Sequence, residues 1–190
     1  MRNAIVIHGM PSKEEYIARG ATSSKQHWLP WIKSELEAQG IAVETPEMPE
    51  PYAPQYEKWK AVFEQFPIDE ETILIGHSCG AGFLVRWLSE NKKKVGVVIL
   101  VAPWMDPEHE ERELVSDFFD FIIDPALAER TKGITVFISS DDDAPMQKTA
   151  ELLKEAIAGL MVVEFAGKGH FTEGDMGTTE FPELLSEVLK

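Results

Sequence analysis

The stretch Thr72-Ile73-Leu74-Ile75 runs without interruption into Gly76-His77-Ser78-Cys79-Gly80-Ala81-Gly82, and this junction limits the possible folds more than any other part of the chain. Four β-branched or apolar residues in succession read as a strand, and Ala81 to Asn91 carries a helical pattern. A strand that becomes a helix within so few residues brings the two elements close together. Glycines two places before and two places after Ser78 remove the side chains that would collide at that crossing, and Ala81 and Gly82 keep it tight. The pattern G-x-S-x-G in this context is a nucleophile elbow, a strained turn that lifts a serine hydroxyl clear of a sheet. Five matching residues arise often by chance; the flanking strand and helix make the match specific. The competing reading is a glycine-rich strand-helix turn without chemistry.

The remaining pattern alternates strands with helices. Asn3 to His8 is a short apolar run ending in His8-Gly9, and a long polar loop is expected from Met10 to about Gln26. His27 to Gln39 places Trp28, Leu29, Ile32 and Leu36 at helical spacing, with Gly40 as the stop. Ile41 to Thr45 is a second strand, and the proline-rich stretch from Pro46 to Pro54 is extended. Gln55 to Phe66 is a helix. Val95 to Ala102 is almost wholly apolar, the mark of a strand buried on both faces in a parallel sheet. A mixed helical stretch is expected from Pro107 to Arg130. Ile134 to Ser139 and Leu160 to Phe165 are strands, with helices at Gln147 to Ala158 and Phe181 to Leu189. This order predicts one domain over residues 1–190, about six parallel strands with right-handed crossovers, and helices on both faces. Ligands of such sheets bind beyond the carboxyl ends of the strands, where strand order reverses.

Charge and composition remove several function classes. Eighteen basic against 33 acidic residues leave a formal charge of -15, which repels nucleic acid phosphates and anionic lipid surfaces. Acidic stretches such as Glu108-His109-Glu110-Glu111 read as a solvated face. The sole cysteine, Cys79, excludes an intrachain disulfide and a Cys-rich zinc site, and a reducing cytoplasm fits. No apolar run reaches the roughly 20 residues that span a bilayer, and the N-terminal run is too short for a signal-peptide core. The expectation is a soluble, cytoplasmic protein of ordinary globular composition.

Serine is a weak nucleophile until a base takes its proton, so Ser78 needs a histidine oriented by a carboxylate. The chain order for an elbow of this kind is serine, acid, histidine. His170, in the glycine-flanked turn Gly167-Lys168-Gly169-His170-Phe171, is the candidate base. His8 and His77 lie on the same edge but have local duties, bracing the first loop and packing within the elbow; His27 and His109 read as supporting or surface residues. The acid follows the fifth strand in Ser139-Ser140-Asp141-Asp142-Asp143. Asp142 is the first choice, with Asp141, Asp143 and Asp106 as alternatives, and helix capping before Pro145 or a divalent-metal site as the readings without a triad. No ligand spacing elsewhere supports a metal. The tetrahedral oxyanion needs two backbone donors; the N–H groups of Cys79 and Met10 are the candidates. His8, Trp28, Trp104, Met10, Met146 and Phe171 fall near the same edge as candidate pocket residues, or as core.

With these motifs quoted, the chain resembles the small serine hydrolases that group the eukaryotic retinoblastoma-binding serine hydrolase with the bacterial YdeN-like proteins. The resemblance rests on His8-Gly9, Gln26-His27-Trp28-Leu29-Pro30-Trp31, Met48-Pro49, Gly76-His77-Ser78-Cys79-Gly80, Ser140-Asp141-Asp142 and Gly169-His170-Phe171. It implies a minimal α/β-hydrolase fold with little or no cap domain, a Ser-Asp-His triad, no cofactor, and cleavage of a small ester or amide through an acyl-enzyme. Asp143-Ala144-Pro145-Met146 departs slightly from the family pattern and leaves the choice of acid open. The L-x-C-x-E sequence associated with retinoblastoma protein has no counterpart, because Cys79 has His77 two before it and Ala81 two after. Two rivals stand beside this reading: a catalytically silent binding protein on the same fold, and an acyltransferase or aminopeptidase using the same site.

Overall fold

The computed structural model describes residues 2–115 and 117–190. In chain order the elements are β1 (Asn3–Ile7), α1 (Lys13–Ala18), α2 (Leu29–Ala38), β2 (Ala42–Glu44), α3 (Tyr56–Phe63), β3 (Ile73–His77), α4 (Cys79–Asn91) and β4 (Val97–Val101). There follow α5 (Arg112–Val115), a 3₁₀ turn (Leu127–Arg130), β5 (Gly133–Ser139), α6 (Ala144–Ala156), β6 (Met161–Phe165), α7 (Glu173–Met176) and α8 (Pro182–Val188). The six strands form one sheet in the order β2-β1-β3-β4-β5-β6, and every pairing is parallel.

The chain steps from β1 outward to β2, then returns past β1 to β3 and continues one way to β6. Right-handed crossovers therefore send the first connection over one face and the later ones over the other. The packing agrees: α2 contacts α8, while α3 meets α4 through Phe63 against Phe83 and Trp87. β1, β3 and β4 are sandwiched between these layers, which is why their sequences are continuous apolar runs. Strand order reverses between β1 and β3. Ile7 pairs with Gly76 there and His77 with Val101, so the turns after β1 and β3 leave the sheet side by side.

Three parts of the pattern differ from the expectation, one of them the short α7, which lies where the sequence pattern predicts no helix. The first loop contains α1, whose Ser12 cap accepts from the Glu15 N–H at 3.1 Å, the S-x-x-E spacing being a legible start signal. Between β4 and β5, the mixed helical stretch reduces, among the described residues, to α5 and the 3₁₀ turn. No described helix is long and apolar enough to cross a membrane.

Gly80 is where the elbow presses on the sheet: a Cβ there would stand 2.3 Å from the His8 carbonyl oxygen and 2.6 Å from that of Ile7. Neither backbone oxygen can move without displacing β1. Gly80→Ala is thus expected to destabilise the fold by about 3 kcal/mol or more, lowering the melting temperature by roughly 6–12 °C for a chain of this size. A melt within a degree or two of the parent would show the crossing to be looser than these distances.

Candidate active site

The elbow is built by local geometry. Ser78 has φ 53° and ψ -121°, a region costing about 1–3 kcal/mol for a residue with a side chain, and it persists because its backbone is held throughout. The Ser78 N–H donates to Val101 at 2.9 Å, and its carbonyl accepts from Ala81, Gly82 and Trp104 at 3.0–3.2 Å. α4 begins at the next residue, so the Cys79 N–H is among the first amides of a 13-residue helix, which have no intrahelical acceptor and carry its positive end. The Cys79 thiol is buried, and burial pushes it well above the ordinary thiol range, which makes it unreactive beside Ser78.

The turn after β1 lies against this serine. A Cβ on Gly9 would be 3.0 Å from that of Ser78, so a side chain there would push the two turns a few tenths of an ångström apart. His8 orients the next peptide: its Nδ1 is 2.8 Å from the Gly9 carbonyl, and its Nε2 accepts from the Met48 N–H at 2.9 Å. These backbone partners have fixed polarity, which puts the proton on Nδ1. Burial lowers the His8 pKa and keeps the ring neutral. A trans peptide places the Met10 N–H opposite the held Gly9 carbonyl.

His170 and Asp142 meet directly. The His170 Nδ1 is 3.1 Å from both carboxylate oxygens of Asp142; the Asp142 side chain is 1% exposed and that of His170 is 28% exposed. Asp141 has a different task. Its Oδ1 accepts from Ser139 Oγ at 2.5 Å and from the Gly167 and Gly169 N–H groups at 3.0 and 3.3 Å, tying the turn after β5 to the turn after β6. Those bonds, the Ser139 hydroxyl foremost, hold its carboxyl below the usual range. Asp143 is the exposed N-cap residue of α6, and the buried Asp106 accepts from the Glu111 N–H.

Two hollows share Ser78 and His170. The smaller, about 130 Å³, is lined by residues that include His8, Met10, Tyr16, His27, Leu29 and His77. The larger, about 1050 Å³, has Trp104, Met146, Pro145 and Leu114 among carboxylates from Glu14, Asp106, Glu108, Glu110, Glu111 and Asp143. Lys13 also lines it, and Lys148 pairs with Glu108. Met10 borders both. Trp28 and Phe171, expected as possible lining, are instead fully buried, Trp28 under His77 and Phe171 stacked on Phe181. Sequence position put them near the edge; their aromatic neighbours drew them into the core.

Asp175 is a contact that sequence reading missed. Its Oδ2 accepts from the His170 N–H at 3.0 Å and from Thr172 Oγ1 at 2.8 Å, within the capping box that starts α7. Thr172-x-x-Asp175 was the available signal. Among the described residues, no three His, Cys, Asp or Glu side chains gather as a metal site.

Fold and elbow together define a protein of the α/β-hydrolase fold. The family model described as serine hydrolase matches residues 16–189. YdeN of Bacillus subtilis (strain 168) is 31% identical over 185 residues, covering 94% of this chain and 95% of that protein. Serine hydrolase RBBP9 of Rattus norvegicus is 30% identical over 176 residues, covering 89% and 88%. The crystal structure of the ydeN gene product from B. subtilis superposes with a TM-score of 0.79 at 27% identity, covering 100% of this chain and 99% of that one. The chain belongs to the serine hydrolase family.

Proposed function

We propose that the protein cleaves a carboxylic ester or amide through an acyl-enzyme on Ser78, with His170 as proton carrier and Asp142 as its orienting acid. The contact of His170 Nδ1 with the buried Asp142 carboxylate, at a hollow shared with Ser78, carries this reading. The carboxylate accepts a hydrogen bond from Nδ1–H, which leaves Nε2 with the lone pair that a general base needs. Ser78 Oγ attacks the substrate carbonyl while its proton passes to His170. The oxyanion is received by the Cys79 and Met10 N–H groups, whose donors cost no reorganisation when charge develops. The imidazolium then protonates the leaving group, and water deacylates the serine by the same steps in reverse roles. A fluorophosphonate probe tests this: the adduct is expected on Ser78, and folded protein that stays unlabelled would sink the reading in favour of a silent binding protein.

The larger hollow supports a narrower choice of substrate. A lining that mixes apolar side chains with six acidic ones, on a chain of charge -15, favours a substrate that pairs an apolar body with a cationic group. An aminoacyl ester or amide with a free amine fits this better than a fatty acyl ester. Aminoacyl 4-nitroanilides are expected to show kcat/KM about tenfold above their N-acetylated forms, equivalent to about 1.4 kcal/mol. The advantage should shrink in 0.5 M salt as the charges are screened. Equal or better cleavage of the acetylated forms would return the site to neutral esters.

A further inference from the structure

The mechanism leaves His77 unused, although it precedes Ser78 and is almost completely buried. Its Nε2 lies 2.8 Å from the backbone carbonyl of His170. A carbonyl can only accept, so the His77 proton is on Nε2 and is committed to that bond. His77 Nε2 therefore cannot act as a second base. Burial, with His170 and His27 nearby, lowers its pKa well below the ordinary value, so the ring stays neutral and keeps this tautomer.

The bond spans a gap that the fold creates. His170 follows β6, which is separated from β3 by β4 and β5; three strand spacings of about 4.8 Å amount to roughly 14 Å at the sheet. The base must reach back across that distance on a turn in which Gly167, Gly169 and Phe171 all have positive φ. Three side chains hold it there: Asp142 at Nδ1, Asp175 at the backbone N–H, and His77 at the backbone carbonyl. Asp142 and Asp175 come from the β5 and β6 side of the molecule. Only His77 belongs to the elbow itself.

We infer that His77 is a positioning residue, whose Nε2–H ties the His170 backbone to the nucleophile turn and so sets the approach of the base to Ser78. This rests on the reading of Ser78 and His170 as nucleophile and base. Loss of the tie lets the His170 turn relax by an ångström or so, a displacement that costs on the order of 10²-fold in rate. His77 does not line the larger hollow to which the substrate is assigned, so the loss falls mainly on kcat.

The alternative duty for His77 is packing, since its ring meets Trp28 at 5.7 Å, His27 at 6.0 Å and His170 at 5.0 Å between centroids. Two variants separate the duties by opposite orders. His77→Phe keeps the aromatic packing and removes the donor; His77→Gln sacrifices packing and presents an amide N–H at a similar reach. Positioning predicts that His77→Phe stays folded with kcat about 10- to 100-fold down and KM within about twofold, while His77→Gln recovers most of kcat despite a lower melting temperature. Full kcat in His77→Phe, or a His77→Gln variant as slow as His77→Phe, overturns the inference. Nitrogen-15 shifts of the wild-type imidazole provide a check that needs no variant: a protonated Nε2 and bare Nδ1 are expected, and the reverse tautomer would refute the bond. Failure of the underlying reading shows separately, as wild-type protein that fluorophosphonate does not label.

Discussion

Ser78→Ala is expected to leave a folded protein that takes up no fluorophosphonate and whose kcat is lower by on the order of 10⁴- to 10⁶-fold. The methyl group fills the space of Cβ without clash but has no oxygen to attack, and neighbouring groups offer no substitute. Cys79 is buried behind the elbow with its thiol held neutral, and the His77 proton is engaged by His170. The residual rate reports the oxyanion donors and binding alone. Stability moves the other way when the strain at φ 53° is released. Ser78→Gly relaxes the turn but loosens the unfolded chain; the net expectation is about 1 kcal/mol of added stability, or roughly 2–4 °C in melting temperature. Steady-state kinetics and calorimetry on the two variants measure both effects, and a glycine variant melting below the parent would contradict the strain argument.

Asp142→Asn is expected to lower kcat by about 10⁴-fold with little change in fold. The amide matches the carboxylate in shape, but its NH2 side cannot accept a hydrogen bond from Nδ1–H, and its neutral charge cannot stabilise the imidazolium. Asp141→Asn gives the contrasting result. Asp141 has no hydrogen bond to His170 and holds the Gly167 and Gly169 amides instead, so its loss should reduce the melting temperature while kcat stays within about tenfold of the parent. Kinetics and melts of the pair decide between the adjacent aspartates. An inactive Asp141→Asn beside an active Asp142→Asn would reassign the acid.

The elements and motifs differ in how plainly they could be read. β3, the elbow and α4 were legible because their requirements are local: an apolar run, two glycines at the crossing and a helical pattern all fall within twenty residues. α1 and α7 escaped although Ser12-x-x-Glu15 and Thr172-x-x-Asp175 were present, because four to six helical residues carry no readable apolar stripe. The stretch from Pro107 to Arg130 promised more helix than its described residues form. Its prolines and crowded acids give no continuous face, and it is instead tied to α4 by Arg86, whose guanidinium donates to the Asp117 and Phe118 carbonyls and lies 3.7 Å from the Tyr56 ring centre.

Sequence alone determined the class of the fold, the elbow around Ser78 and the turns from which a base and an acid are proposed, because backbone strain, hydrophobic period and strand-helix alternation are written into short stretches. Tertiary structure decided which group faces which. Asp141 and Asp142 are neighbours of the same chemistry, and only the return of the β6 turn over the sheet edge gives one the His170 ring and the other the glycine amides. Likewise, His77 reads as packing until the chain brings the His170 carbonyl to its Nε2 from 93 residues away. Contacts across such separations depend on strand order and loop path, which no local pattern encodes.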